Sequence, residues 1–454
     1  MQLPLRRASR LAGICAGLSI FAPGLAEAAE VPSLAVEQFQ LENGLHVILH
    51  PDPRLPVVAV NVWYDVGALH EKAKKTGFAH LFEHMMFQGS RHVPEDAHFA
   101  ILEGLGATDI NGSTENDRTN YFATVPKNQL ETALWLESDR MGFLLDHVNE
   151  ASFRNQVEVV KNERRQSVEQ RPYGLFEEKR VQTLFPPTHP YFGAVIGSMD
   201  DLDHATVDDV RAFFQAYYTP ANASLALVGD LDVPAAKALV QKYFGTLKGR
   251  PKPPLPEVSP PVLHGQTVVQ HQEAVGKLSQ VTVAWVIPGP FSPGSWELQL
   301  LADVISGTRA SRLDAKAVHT DRVAQAATVS IEQFRAGSTF ELSLTMLPGH
   351  TAEEGLAEID AVLADLKKHP PTAAELLRAK NARVTHTLLR LESAQGRAEL
   401  FQRYFLYLGD ANKLGWDLEH TLAVTLPDLR AAAERTFTGD RLVGLANVGA
   451  PGAK

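Results

Sequence analysis

The chain has 454 residues, 53 acidic and 43 basic side chains, a formal charge of −10 and a single cysteine. That length exceeds one ordinary core and implies two to three domains, while an acidic balance without a basic aromatic stripe argues against nucleic acid as a partner. One cysteine excludes an internal disulfide, and because it is Cys15, within a segment that reads as a cleaved signal, the mature chain is left with His, Glu and Asp as metal ligands.

Residues 1–28 have the form of a cleaved signal peptide. Arg6, Arg7 and Arg10 make a basic start, Leu11 to Leu25 is apolar, and Ala26-Glu27-Ala28 is an A-x-A cleavage site. The expectation is export, to a periplasmic or secreted location, with no membrane span after cleavage and a retained anchor as the lesser alternative. Cys15 would leave with this segment, and losing its three Arg and Glu27 moves the formal charge from −10 to −12.

Strand patterns follow at Leu45–Leu49 and Val57–Tyr64. Gly77–Phe87 is an apolar, proline-free run around three polar side chains, and it predicts a buried helix. Helical patterns cover Gln129–Leu145 and Asn155–Gln170. Residues 251–266, rich in proline, form a stiff linker. Beyond it come a strand at Val281–Ile287 and a long helix at Ala373–Leu391.

The Gly77–Phe87 run carries His80-Leu81-Phe82-Glu83-His84. Histidines at i and i+4 share one helix face, about 6 Å apart along the axis, and can converge on one Zn²⁺. Glu83 stands near the same face, able to reach a water without ligating the metal. Three ionisable groups in an apolar helix would be costly to bury without such a partner. The order is H-x-x-E-H, the reverse of the commoner H-E-x-x-H.

The chain also repeats itself. Thr206–Ala212 matches Thr425–Ala431, and Ser224–Gly229 matches Gly444–Gly449, with offsets of 219 and 220 residues. The expected fold is α+β, with two duplicated domains, each a sheet with helices packed on it: 35–250 catalytic, 267–454 metal-free. Aligning the copies sets Leu298, Leu301 and Ala302 opposite His80, Glu83 and His84, so only the first copy has metal groups.

A catalytic zinc usually has three protein ligands, and Glu158, Glu163 and Glu169 on the 155–170 helix are all candidates for the third. Here the pattern resembles the pitrilysin/insulinase family of metallopeptidases, in its mitochondrial-processing-peptidase-like and bacterial branch. The family's glutamate ligand matches Glu163, 79 residues after His84. Ala107–Thr114 with Thr119-Asn120-Tyr121 resembles its active-site edge strand, and His189-Pro190-Tyr191 and Tyr217–Asn222 resemble later landmarks.

The resemblance implies a zinc endopeptidase acting on unfolded or short peptides. His80, His84 and Glu163 would be the metal ligands and Glu83 the general base. Asn111, Gly112 and Ser113 would bind substrate by backbone pairing. Two departures stand out. The family often has a second glutamate where this chain has Gln156. Self-sufficient relatives also carry an Arg and a Tyr seven residues apart after Ser-Arg-Leu, and beyond Ser311-Arg312-Leu313 those positions are Val318 and Gln325. The expectation is therefore a heterodimer in which a paralogous subunit supplies the Arg/Tyr pair. The alternatives are a non-catalytic assembly subunit and a zinc-binding peptide trap.

Overall fold

The computed structural model describes residues 34–449, so the signal peptide expected at 1–28 lies outside the described residues. Eleven strands form two sheets among these residues. In the first, β1 (Glu37–Gln40), β2 (His46–Pro51), β3 (Val57–Tyr64), β4 (Thr108–Thr114), β5 (Thr119–Pro126) and β6 (Ala223–Gly229) lie in the order β1-β2-β6-β3-β5-β4. In the second, β7 (Gln266–Glu273), β8 (Gln280–Ile287), β9 (Ala324–Glu332), β10 (Ser338–Met346) and β11 (Arg441–Val448) lie in the order β7-β11-β8-β10-β9.

These two orders are the same design. β6 runs parallel to β2 and antiparallel to β3, and β11 runs parallel to β7 and antiparallel to β8. The threonine caps of the internal repeat are both formed: Thr206 accepts from Asp209 N and Thr425 from Asp428 N, each inside a capping box. Two duplicated α+β domains result. Residues 251–264 between them carry no helix or strand. Among the described residues no helix is long and apolar enough to cross a membrane.

Both faces of the first sheet are covered, which explains why β3 is buried along nearly its whole length. Its residues alternate between two cores. Val58, Val60, Val62 and Tyr64 join the main cluster with Phe78, Leu81, Phe82 and Met85, while Ala59 faces Ala398 and Phe401. Those last two belong to helix Ala394–Leu408, which comes from the second half of the chain and packs on β3 and β6. The exchange is reciprocal: helix Gly174–Leu184 of the first half packs on β7 and β11. Each half thus lends one helix to the rear of the other's sheet.

A buried polar junction locks the halves. Arg335 donates to Asp65 through its guanidinium and to Asp117 through its backbone N–H, and the Tyr191 and Tyr407 hydroxyls also donate to Asp117. Glu399 on the lent helix accepts from Asn61 of β3 and Asn120 of β5 at 2.7 and 2.9 Å.

Candidate metal centre

The pentad lies on helix Phe78–Met85, the pentad helix. Phe78, Ala79, Leu81, Phe82 and Met85 are buried, fixing one face to the core and turning His80 and His84 the other way. Their rings meet edge to face with centroids 4.7 Å apart. Opposite runs helix Glu150–Arg164, the glutamate helix, started by Asn149, whose side chain accepts from Ala151 N and Ser152 N. It begins five residues before the pattern predicted, because this cap precedes the apolar periodicity. It also ends earlier, widening into a π-helical turn at Arg165–Glu169.

The two helices bring His80, His84 and Glu163 together. Glu163 Oε2 stands 3.7 Å from His80 Nε2 and 3.3 Å from His84 Nε2. Donors on a tetrahedral zinc, at about 2.0–2.1 Å from the ion, are about 3.3–3.4 Å apart, so the spacing and the N, N, O donor set suit zinc. Among the described residues this is the only group of three such side chains close enough to share an ion. Burial, with His84 alongside, pushes His80 down to about 4, leaving it neutral with a lone pair free to coordinate. The His80 Nδ1 atom is buried without a partner. The rivals are engaged elsewhere: Glu158 pairs with Lys161 at 2.8 Å, and Glu169 lies 3.8 Å from Arg164. Gln156 is buried beside His84.

Glu83 is buried with its carboxylate against β4. Its Oε2 accepts a 2.6 Å hydrogen bond from the Thr114 hydroxyl, and a Cβ on Gly112 would stand 3.0 Å from Glu83 Cγ and Oε1. Burial pushes Glu83 above the ordinary carboxylate range, with the Thr114 hydrogen bond pulling the other way. β4 is the outer strand, with no strand on its far side among the described residues, and a bulge between Thr108 and Asn111 shapes its start. Of the three expected substrate-binding residues, Gly112 touches Glu83. Asn111 turns its side chain back to the Gly112 N–H, and the Ser113 hydroxyl is tied to Asn120 and Arg118. Sequence reasoning passed over Thr114, although its place two residues after Gly112 sets it on the same face of the strand.

In the second half, Leu298, Leu301 and Ala302 lie on helix Ser295–Ile305 as buried core. Val318 sits half-buried against that core in a π-helical turn, and Gln325 is exposed on β9. His189 is buried and bonds the Ala336 carbonyl across the junction.

A family model described as Insulinase (Peptidase family M16) matches residues 46–189, and one described as Peptidase M16 inactive domain matches residues 204–383. The chain is 30% identical over 374 residues to the zinc protease PqqE of Helicobacter pylori, covering 82% of this chain and 83% of that protein. It is 22% identical over 430 residues to the mitochondrial-processing peptidase subunit beta of Lentinula edodes, covering 90% and 89%. Among solved structures, a protease from Helicobacter pylori superposes with a TM-score of 0.86 at 28% identity, covering 92% of this chain and all of that one. The periplasmic protease PqqL of Escherichia coli shares the fold, with a TM-score of 0.72 at 18% identity over 92% of this chain and 48% of that one.

Proposed function

The chain belongs to the pitrilysin/insulinase family, peptidase family M16, and on that footing we propose that it is an exported zinc-dependent endopeptidase. Its substrates in this reading are unfolded or short peptides, and it is the zinc-bearing subunit of a heterodimer. The observation that carries the reading is the convergence of His80, His84 and Glu163 with Glu83 at the edge of β4.

His80, His84 and Glu163 would hold the ion. Bound zinc supplies Lewis acidity, lowering the pKa of water from about 15.7 towards 7 and polarising a carbonyl. Glu83, held by Thr114, takes the proton of the attacking water and passes it to the departing amine. The open side of β4 receives the peptide as an added strand, so backbone hydrogen bonds orient the scissile bond with little regard to side chains. An extended chain is required for that pairing, which favours unfolded or short peptides.

The oxyanion side is where this chain is short of groups. Val318 and Gln325 replace the Arg and Tyr that self-sufficient relatives carry: the valine offers no hydrogen-bond donor, and the Gln amide offers a donor without the charge of an Arg. A homodimer repeats the deficit, so the complementing groups come from a paralogous partner. Residues 1–28 support export, and a relative of the same fold is described as periplasmic.

The test is to purify the mature chain, measure bound zinc, and assay peptide cleavage alone and with a co-exported paralogue bearing the Arg and Tyr. Zinc at about one per chain, with activity appearing only in the mixture and lost on mutating the partner's Tyr, is the expected result. Full activity of the lone chain would refute the heterodimer. Zinc and peptide binding without cleavage in any mixture would make the protein a peptide trap, and absence of zinc an assembly subunit.

A further inference from the structure

The pentad helix has no cap of its own. Gly77, with φ at +84°, precedes it, and its first turn holds no acidic side chain. A helix start leaves four N–H groups without partners inside the helix. Glu71, six residues upstream, meets two of them: Oε2 accepts from Gly77 N at 3.0 Å and Oε1 from Ala79 N at 2.8 Å. Burial pushes Glu71 up to about 8, and the two N–H donors pull it back towards the charged form that suits a helix start. The second bond falls on the residue directly before His80.

The same helix start is pinned from the other side. Gly77 and Gly197, at φ of +84° and +83°, cross back to back, and a Cβ on either would stand 2.7 Å from the other's Cα. Asp201 holds the preceding residue, accepting from Thr76 N at 3.0 Å. The carbonyl of Gly197 in turn accepts from Arg164 Nη1 at 2.8 Å, and Arg164 follows Glu163 directly. Arg164 is itself fixed by a two-pronged pair with Glu178 at 2.8 and 2.9 Å. A continuous line of contacts therefore joins Glu71, the start of the pentad helix, Gly197, Arg164 and the end of the glutamate helix.

We propose that Glu71 is a positioning residue which, with Gly197 and Arg164, sets the spacing between His80/His84 and Glu163 and so the affinity of the site for its metal. The inference rests on the zinc reading above. Neither Glu71 nor Arg164 is a ligand; each acts through the helix it holds. The chain supplies from the preceding loop what a Ser or Asp cap would ordinarily supply in place, which leaves Gly77 free to make its close crossing with Gly197.

The experiment compares wild-type mature protein with E71Q and R164K. The zinc dissociation constant is read by competition with a chromophoric chelator, the ligand geometry from the visible spectrum of the Co²⁺-substituted form, and the fold from circular dichroism. Supporting groups around metal ligands are typically worth about 10–100-fold in affinity, and a loss of about tenfold is expected for E71Q, with an altered cobalt spectrum and a retained fold. R164K should move both readouts the same way, and it decides the matter if E71Q does not fold. Affinity within twofold of wild type and an unchanged cobalt spectrum, even with a lowered melting temperature, would overturn the proposal. Wild-type protein that binds no zinc would overturn the metal reading itself, a different and separable outcome.

Discussion

The hydroxyl of Thr114 donates a 2.6 Å hydrogen bond to Glu83 Oε2, joining the open strand of the first sheet to the acid of the pentad. The strand proposed to receive the peptide is therefore also the strand that holds the proposed base. In the proposed function substrate and proton acceptor would share one rigid support, the arrangement that keeps reacting groups in register.

Glu83→Gln keeps shape and polarity while removing the base. Zinc content should stay at the wild-type level, and turnover by the active complex should fall about 10²–10⁴-fold. Thr114→Val, which removes only the aiming hydrogen bond, should cost about tenfold in kcat, equivalent to about 1.4 kcal/mol. Near-wild-type turnover of the Gln variant would dismiss Glu83 as the base.

The third ligand is open to a direct comparison. His80→Ala, His84→Ala and Glu163→Ala should each lower zinc occupancy, measured by elemental analysis after dialysis. Glu158→Ala should leave it unchanged, because Glu158 is exposed and paired with Lys161. Full zinc in the Glu163 variant with loss in the Glu158 variant would reverse the assignment.

Gly112→Ala is expected to harm catalysis without harming the fold. The backbone at Gly112 does not require positive φ, so alanine is conformationally allowed, but its Cβ would lie 3.0 Å from Glu83 Cγ and Oε1. Displacing a reacting group by about 1 Å can cost about 10²-fold in rate. A drop of this order with an unchanged melting temperature is the expected pair of readings, and unchanged kcat would show that Glu83 has room to give way.

Arg335→Met tests the junction between the halves. Burial pushes Asp65 up, but Arg335 and Lys252 more than offset it and hold the carboxyl below its usual range. A depressed folded pKa means that the stabilisation is present at neutral pH and is lost as pH falls through that folded value. Removing one partner of a buried pair costs about 3–5 kcal/mol, and the lower end is expected because Lys252 remains 2.8 Å from Asp65. Without Arg335 the carboxyl protonates more readily, so the penalty in urea melts should be largest at pH 7 and smaller near pH 4. An equal penalty at both would mean that Asp65 is not the group being compensated.

Much of this was legible in the chain because local chemistry and local periodicity agree there. His80, Glu83 and His84 are fixed by helical spacing alone. Glu163, which the family resemblance singled out from three acids, is the one the fold places beside them. The duplication, read from two short matches, reappears as two sheets of equivalent strand order. What the sequence could not carry was partnership across distance. Ala394–Leu408 has apolar residues on more than one face, Ala398 and Phe401 towards the first sheet and Leu400 and Tyr404 towards its own half, and no period says which sheet a helix will cover. Glu71 likewise looks like one more loop acid until its two N–H donors are seen.

The lent helices make the proline-rich segment a poor place to divide the protein. A single cut within 251–264 would leave the fragments clasped, each holding an element of the other over an apolar surface. During synthesis, Ile48, Ala59, Ala226 and Val228 must wait for residues 394–408, some 160 positions beyond the last strand of their sheet, before they are sheltered from water. Closure is thus a late, long-range event, slow by its topology. Until it happens the bare surface is open to the same helix from another copy, the condition under which proteins exchange segments.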